Sequence, residues 1–430
     1  MTADPRSAAT ASTLSDPETY VAGVPHEHFA RLRRQCPVAW VEERPLWRSG
    51  ASGRVGAVTG SGFWAVTRYE DVAAASRSPE VFSSGARGAF LPDPKSRQDL
   101  ERTRQLLVNM DAPEHTRLRR HLGTAFTPRM VLGLQDGIRA HARALVSGAL
   151  DRERFDAVHD LAAELPLLAL ADLLGMPRED RRLIFEWSSN LVGFDDPGLG
   201  GGRVDVYKRA FVEAFAYARE LAAARRRRPG DDLVSQLVRP GPDGSQLSDP
   251  ELCNAWVLLV VAGNETTRHL LSGGLLALVE HPAERHRLLA RPDLVPTAVE
   301  ELLRWVSPVM QFRRTALRET VLGGQRIREG DKVVLYHTSA NRDEAVFDRA
   351  DRLVLDRRPN PHLAFGTGPH FCLGARLARF EAIALLEALA PHLAALELAG
   401  PVARLASNFM NGINSMPARF DPAPVGARRA

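Results

Sequence analysis

The chain is poor in cysteine. Cys36, Cys253 and Cys372 are the only three among 430 residues, and an odd, scattered total builds no disulfide framework. A reducing compartment fits that usage. Long apolar runs are missing too: stretches such as Trp256 to Ala262 stop well short of the ~20 residues that cross a bilayer. The opening segment, Met1 to Asp16, is rich in Ala, Ser and Thr. It lacks the basic-then-apolar order of a secretion signal and reads as a disordered tail ahead of one domain over 17–430. Charge of a single sign is also scarce. Lys and Arg number 56 against 52 Asp and Glu, a formal net of +4, so no nucleic-acid surface is indicated. The basic run Arg225 to Arg228 closes a helical stretch before Pro229-Gly230, where cations complement the helix C-terminus. Together these absences predict a cytoplasmic protein with no membrane span.

What is present is mostly helix. From about Pro113 to Pro308 apolar residues recur at three- and four-residue spacing, with breaks at Pro128, Pro177, Gly198 to Gly202 and Pro240 to Gly244. Strand-like stretches are few: Gly62 to Val66, Phe312 to Leu322 and Lys332 to Tyr336. The predicted class is mainly α with a small β part. One helix begins at Ser248-Asp249-Pro250-Glu251, where Ser248 and Glu251 have capping-box spacing and Pro250 falls in the first turn; its end is predicted at Pro282. Inside it the apolar pattern is broken by Ala262-Gly263-Asn264-Glu265-Thr266-Thr267. A carboxylate there needs a partner or must stay protonated.

The segment richest in chemistry is His362-Leu363-Ala364-Phe365-Gly366-Thr367-Gly368-Pro369-His370-Phe371-Cys372-Leu373-Gly374, followed by a helical pattern from Ala375 to Leu389. A single Cys stands where a Gly-rich loop enters a helix. The positive end of the helix and its free N–H groups favour a thiolate and predict a lowered thiol pKa. Gly366, Gly368 and Gly374 remove side chains where a flat cofactor approaches the backbone.

This loop resembles the cysteine loop of the cytochrome P450 family, F-G-x-G-x-H-x-C-x-G, at every fixed position. The resemblance implies a cytochrome P450 fold with haem b between the oxygen-activating helix and the cysteine-loop helix. Cys372 is then the iron ligand, a thiolate whose donation favours O–O cleavage, with Phe365, Gly366, Gly374 and His370 around the cofactor. The Ala262 to Thr267 hexapeptide is similar to the family's oxygen-activating segment. There Ala262 and Gly263 leave room over the iron, Glu265 relays protons and Thr266 donates them. A Thr266 hydroxyl bonded to the Ala262 carbonyl is expected to open that helix locally. His115 and Arg119, four apart on one helix face, resemble the family's propionate clamp, completed by Arg314 and His370. Glu301 and Arg304 match its E-x-x-R pair, with Arg352 as the expected downstream partner.

The implied activity is monooxygenation of an apolar small molecule: a sterol, terpene, branched lipid or natural-product intermediate of secondary metabolism. It uses O₂ and electrons from NAD(P)H through a ferredoxin and its reductase. Oxidative coupling, peroxygenation and ligand sensing on the same fold remain alternatives. Arg117, Arg120, Arg376 and Arg379 are the expected basic docking face for an acidic donor. Substrate choice is expected in Ser83 to Asn109, Trp187 to Gly202, Val309 to Phe312 and Asn408 to Met416, through Phe90, Leu91, Leu191, Val192, Phe194, Val309, Met310 and Phe409.

Overall fold

A computed structural model describes residues 11–49, 55–58, 60–124, 126, 128–241 and 243–421. The helices that position the site are α1 (Glu114–Gly123), α2 (Pro128–Leu150), α3 (Glu164–Leu174), α4 (Arg181–Val192), α5 (Val204–Arg227), α6 (Asp249–Glu280), α7 (Val295–Val306) and α8 (Ala375–Leu389). The predicted class holds. Among the described residues no helix is long and apolar enough to cross a membrane.

Helix α6 is the axle of the helical layer and packs against α3, α4, α5, α7 and α8. Its start follows from the sequence: the Ser248 side chain accepts from the Glu251 N–H, and Glu251 accepts from the Ser248 N–H in return, satisfying two donors that a helix N-terminus leaves open. Pro282 cannot continue the helix, which ends at Glu280. Trp256, Val260, Leu275 and Leu278 are buried along its length, as expected of a helix with neighbours on most sides.

The principal sheet has strands β1 (Val38–Val41), β2 (Phe63–Val66), β3 (Phe82–Ser83), β4 (Gln311–Ala316) and β5 (Lys332–Tyr336), in the spatial order β1-β2-β5-β4-β3. Strand β5 runs parallel to β2 and antiparallel to β4, with Val333 opposite Arg314 and Val334 opposite Arg313. The stretch Phe312 to Leu322 is not one strand: β4 ends at Ala316, and Thr320–Leu322 pairs instead with Gln325–Ile327. The Leu317 N–H donates to the Val81 carbonyl at 2.8 Å, in register with the β3–β4 pairing, and is the last contact before the chain leaves the sheet for this separate hairpin.

The predicted disordered tail, residues 1–16, is ordered at its C-terminal side. Ala11–Ser15 forms a 3₁₀ turn, and Leu14 is buried in a cluster with Phe29, Val334 and Tyr336. Residues 1–10 lie outside the described residues. Of the basic run, Arg225 pairs with Asp232 and Arg226 with Asp249, each at 2.6 Å, so this helix end is tied to its neighbours.

Candidate haem-thiolate site

The Cys372 loop is built by its backbone. The Cys372 N–H donates to the Phe365 carbonyl at 2.9 Å and the Phe371 N–H to the Gly368 carbonyl at 3.1 Å. Gly368 has φ +73°, and a Cβ there would stand 2.6 Å from the Ser76 carbonyl oxygen, so both dihedral and space demand glycine. Gly366 also has positive φ, +69°, and serves the turn. Gly374, by contrast, has an ordinary φ and open space where its Cβ would be; of the three it is the one that leaves room beside the sulfur. The Phe365 ring lies under the Arg379 guanidinium, 4.4 Å from ring centroid to carbon.

The thiol expectation needs correction. Burial pushes Cys372 above the ordinary thiol value, outweighing the Gly374 N–H and the Arg119 and Arg379 charges that pull it down. A helix N-terminus alone does not offset desolvation of a thiolate; a coordinated cation does, because it deprotonates its thiol ligand outright. Cys253 is buried, with its thiol pushed up to about 11, and Cys36 is raised by burial as well. Cys372 differs from both in being an exposed cysteine whose surroundings nevertheless desolvate it, the mark of a group lining an internal opening.

Ala262 reports an opening in the same way. It is exposed although it lies mid-way along a helix packed against α3, α4, α5, α7 and α8. The Thr266 hydroxyl donates to its carbonyl at 2.6 Å, while α6 remains continuous from Asp249 to Glu280, so the bond does not break the helix. Gly263 does not share the opening: a Cβ there would meet Leu170 of α3 at 3.3 Å, so its small size serves helix packing. Glu265 also departs from expectation. Its carboxylate is buried, paired with Arg268 at 2.5 Å, and accepts from Ser188 of α4 at 3.0 Å and Asn264 at 3.2 Å. A buried carboxylate is retained by a cation and hydrogen bonds, and Arg268 and Ser188 are partners that the hexapeptide pattern did not reveal.

Beside the cysteine loop stands a cluster short of negative charge. The rings of His115 and His370 are 4.2 Å apart; His115 is buried with its Nε2 unpartnered. Arg119 donates to the Phe371 carbonyl at 2.5 Å. Burial, then the charges of Arg314, His115 and Arg119, push His370 down to about 3. Burial and Arg314 do the same to His337, about 3, and burial lowers Arg314 to about 10 against the pull of Asp111. The nearby Asp111 is already committed, accepting from Ser83, from the Ser84 N–H at 2.9 Å and from the Gly85 N–H at 3.1 Å. Cations and rings that depress one another, with one orphaned ring nitrogen, are suited to receive carboxylates. The residues present therefore fit haem: a thiol in an opening for the iron, and a cluster seeking anions for the propionates. His337 and Ser84, which bonds His370 at 3.2 Å, were missed in the sequence, because strand pairing and loop packing bring them in from afar.

The E-x-x-R pair is fully buried, with Arg304 donating to Glu301 at 2.7 and 2.8 Å. Its third member is Arg357, 3.0 Å from Glu301, and not Arg352, whose exposed side chain leaves only its carbonyl as an acceptor for Arg304 at 2.9 Å.

The family profile described as Cytochrome P450 matches residues 206–390. The chain is 38% identical over 416 residues to a steroid C26-monooxygenase of Rhodococcus jostii, covering 96% of this chain and 85% of that protein. The chain belongs to the cytochrome P450 family. It is also 40% identical over 395 residues to a methyl-branched lipid omega-hydroxylase of Mycobacterium bovis, covering 90% of this P450 and 89% of the relative. Among solved structures, a Mycobacterium marinum cytochrome P450 in complex with pseudoionone matches with TM-score 0.86 at 39% identity, over 98% of this chain and 100% of that one. The protein is accordingly a P450 monooxygenase, and its family implies haem and electrons from a redox partner.

Proposed function

We propose that this P450 hydroxylates a sterol, terpene or branched lipid in the cytoplasm, on haem b ligated by Cys372, with NAD(P)H electrons delivered by a ferredoxin and its reductase. The observation carrying the reading is Cys372 itself: a desolvated yet accessible thiol at the start of α8, beside a cation cluster whose neighbouring carboxylate, Asp111, is already committed to Ser83, Ser84 and Gly85. When bound, the haem supplies reductive activation of O₂ and insertion of one oxygen atom into a C–H bond. The chain's residues do the rest. His115, Arg119, Arg314 and His370 hold the propionates. Thr266 holds a proton at its Oγ1 and passes it into the opening; Glu265 is its reservoir and must leave Arg268 to act as one. Ala262 keeps the space clear.

The substrate class is supported by the relatives and by the pocket wall. Phe90, Phe312 and Phe409 come from three separate segments, with centroids 6.3, 5.3 and 5.5 Å apart. All are half-buried, whereas Leu91 and Met310 are core residues. Phe312 lies two residues from Arg314 on β4, hence on the same face of the sheet. An apolar wall beside the propionate cluster suits a ligand without charge.

The test is spectroscopic. The reduced, haem-loaded protein with carbon monoxide is expected to give the absorption band of thiolate ligation, and pseudoionone is expected to shift the iron spin state. A Cys372→Ser variant that keeps an unaltered band and full product formation overturns the reading. Product formed with NADPH and the ferredoxin pair but not with peroxide alone separates monooxygenation from peroxygenation.

A further inference from the structure

Strand β4 alternates its side chains between two faces. Phe312 and Arg314 point to the haem side; Arg313 points to the other, where Lys332 of β5 joins it. Both cations are buried, and neither belongs to the site described above. Together they grip one short segment. The Arg313 N–H donates to the Ala89 carbonyl at 2.8 Å, which continues the edge of the sheet. The Arg313 guanidinium reaches the Leu91 and Pro92 carbonyls at 3.2 and 3.3 Å and the Asp93 carboxylate at 2.8 Å. Lys332 reaches Leu91 at 3.1 Å, Asp93 at 2.8 Å and Glu43 at 2.5 Å. Residues 89–92 form bends beside the strand edge; the Leu91 and Pro92 carbonyls and the Asp93 carboxylate meet the cations, while the Phe90 ring meets Phe312 and Phe409 at 6.3 and 5.3 Å.

We infer that Asp93, clamped between Arg313 and Lys332 on the far side of the sheet, positions Phe90 and thereby sets which apolar substrates the pocket accepts. The segment otherwise lies in a loop with no regular pairing of its own, and two desolvated cations on one carboxylate define its height far better than apolar packing does. Asp93 touches no substrate: it is a positioning residue acting through the backbone between it and Phe90. The inference rests on the apolar-substrate reading above.

The test is a double-mutant cycle on the haem-loaded protein, with pseudoionone as probe and imidazole, which needs only the iron, as control. Asp93→Asn keeps shape and removes charge. It is expected to weaken pseudoionone binding about tenfold, as is Phe90→Ala, while the two together are no weaker than Phe90→Ala alone, since coupled residues are not additive. Imidazole affinity is expected to stay within about twofold in every variant. An unchanged pseudoionone affinity in Asp93→Asn, or an equal loss in the Phe90→Ala background, overturns the inference. Lys332→Gln breaks the clamp from the strand side and is read by the same criteria if Asp93→Asn does not accumulate. A wild type that loads haem and binds imidazole but gives no shift with pseudoionone contradicts the substrate reading and removes the inference with it, whereas a shift that Asp93→Asn leaves intact removes the inference alone.

Discussion

Arg357 donates its Nε to the Glu301 carboxylate at 3.0 Å, closing a buried ion pair whose other cation, Arg304, lies three residues along the same helix. Arg357 also donates to the carbonyls of Arg349 and Arg352, each at 3.1 Å, so one guanidinium ties α7 to the irregular segment leading to the cysteine loop. Removing one partner of such a network leaves the others desolvated and unpaired. Arg357→Met is expected to lower unfolding stability by about 3 to 5 kcal/mol, and Arg352→Ala by less than about 0.5. Urea unfolding of the two haem-loaded variants checks this, and equal losses would reverse the assignment.

The Thr266 hydroxyl, the proposed proton donor, bonds the carbonyl of exposed Ala262 and stands outside the buried Glu265–Arg268 ion pair. Thr266→Ala is expected to leave pseudoionone affinity within about twofold but to reduce product per NAD(P)H consumed at least tenfold, roughly, with electrons diverted to peroxide. Simultaneous assay of product, NAD(P)H and peroxide measures it. Full coupling in the variant would show that the hydroxyl serves only its bond to the Ala262 carbonyl.

Glu381 of α8 is buried with its Oε2 unpartnered, and burial pushes its carboxyl up to about 8. The folded state therefore holds a proton that the unfolded chain releases near the ordinary carboxyl value. The stabilising contribution is whole below about 4.5, erodes as pH rises, and is lost once pH passes about 8. Across that window the decline is about 5 kcal/mol. Glu381→Gln is expected to flatten this slope in urea titrations between those limits, and an unchanged slope would mean that another group carries it.

Of the expected donor-docking arginines, Arg117 pairs with Glu251. Arg379 is bound twice by Glu300, at 2.6 and 2.9 Å; against burial, which raises it, bonds from His362 and Arg379 hold that carboxyl down to about 2. Arg120 and Arg376 remain exposed. Reversing both charges is expected to slow iron reduction by an acidic ferredoxin about tenfold at low salt, with the difference shrinking as salt screens the encounter. Stopped-flow reduction at two ionic strengths decides it, and a salt-independent, unchanged rate would move the donor elsewhere.

The cysteine loop, the capped start of α6, the span of α8 and the Thr266–Ala262 bond were readable in the linear order of residues, because each depends on neighbours within a few positions. Helix caps, glycine turns and i to i+4 bonds are local physics. The placement of His115 and Arg119 four apart on one helix was readable for the same reason; their propionate role is a proposal.

Where partners come from distant segments, local pattern had no purchase. The sequence points to Arg352, and only the path of the loop around α7 selects Arg357. Glu265 reads as a carboxylate in need of a partner; α4 brings Ser188 to it, and Arg268, three residues on, is its counter-ion. The thiol of Cys372 illustrates the point most directly: its place at a helix N-terminus favours the anion, yet the protein packed around it desolvates the sulfur and reverses the shift. Burial depends on the whole fold, and a charge responds to everything within its electrostatic reach, not to its neighbours in the chain.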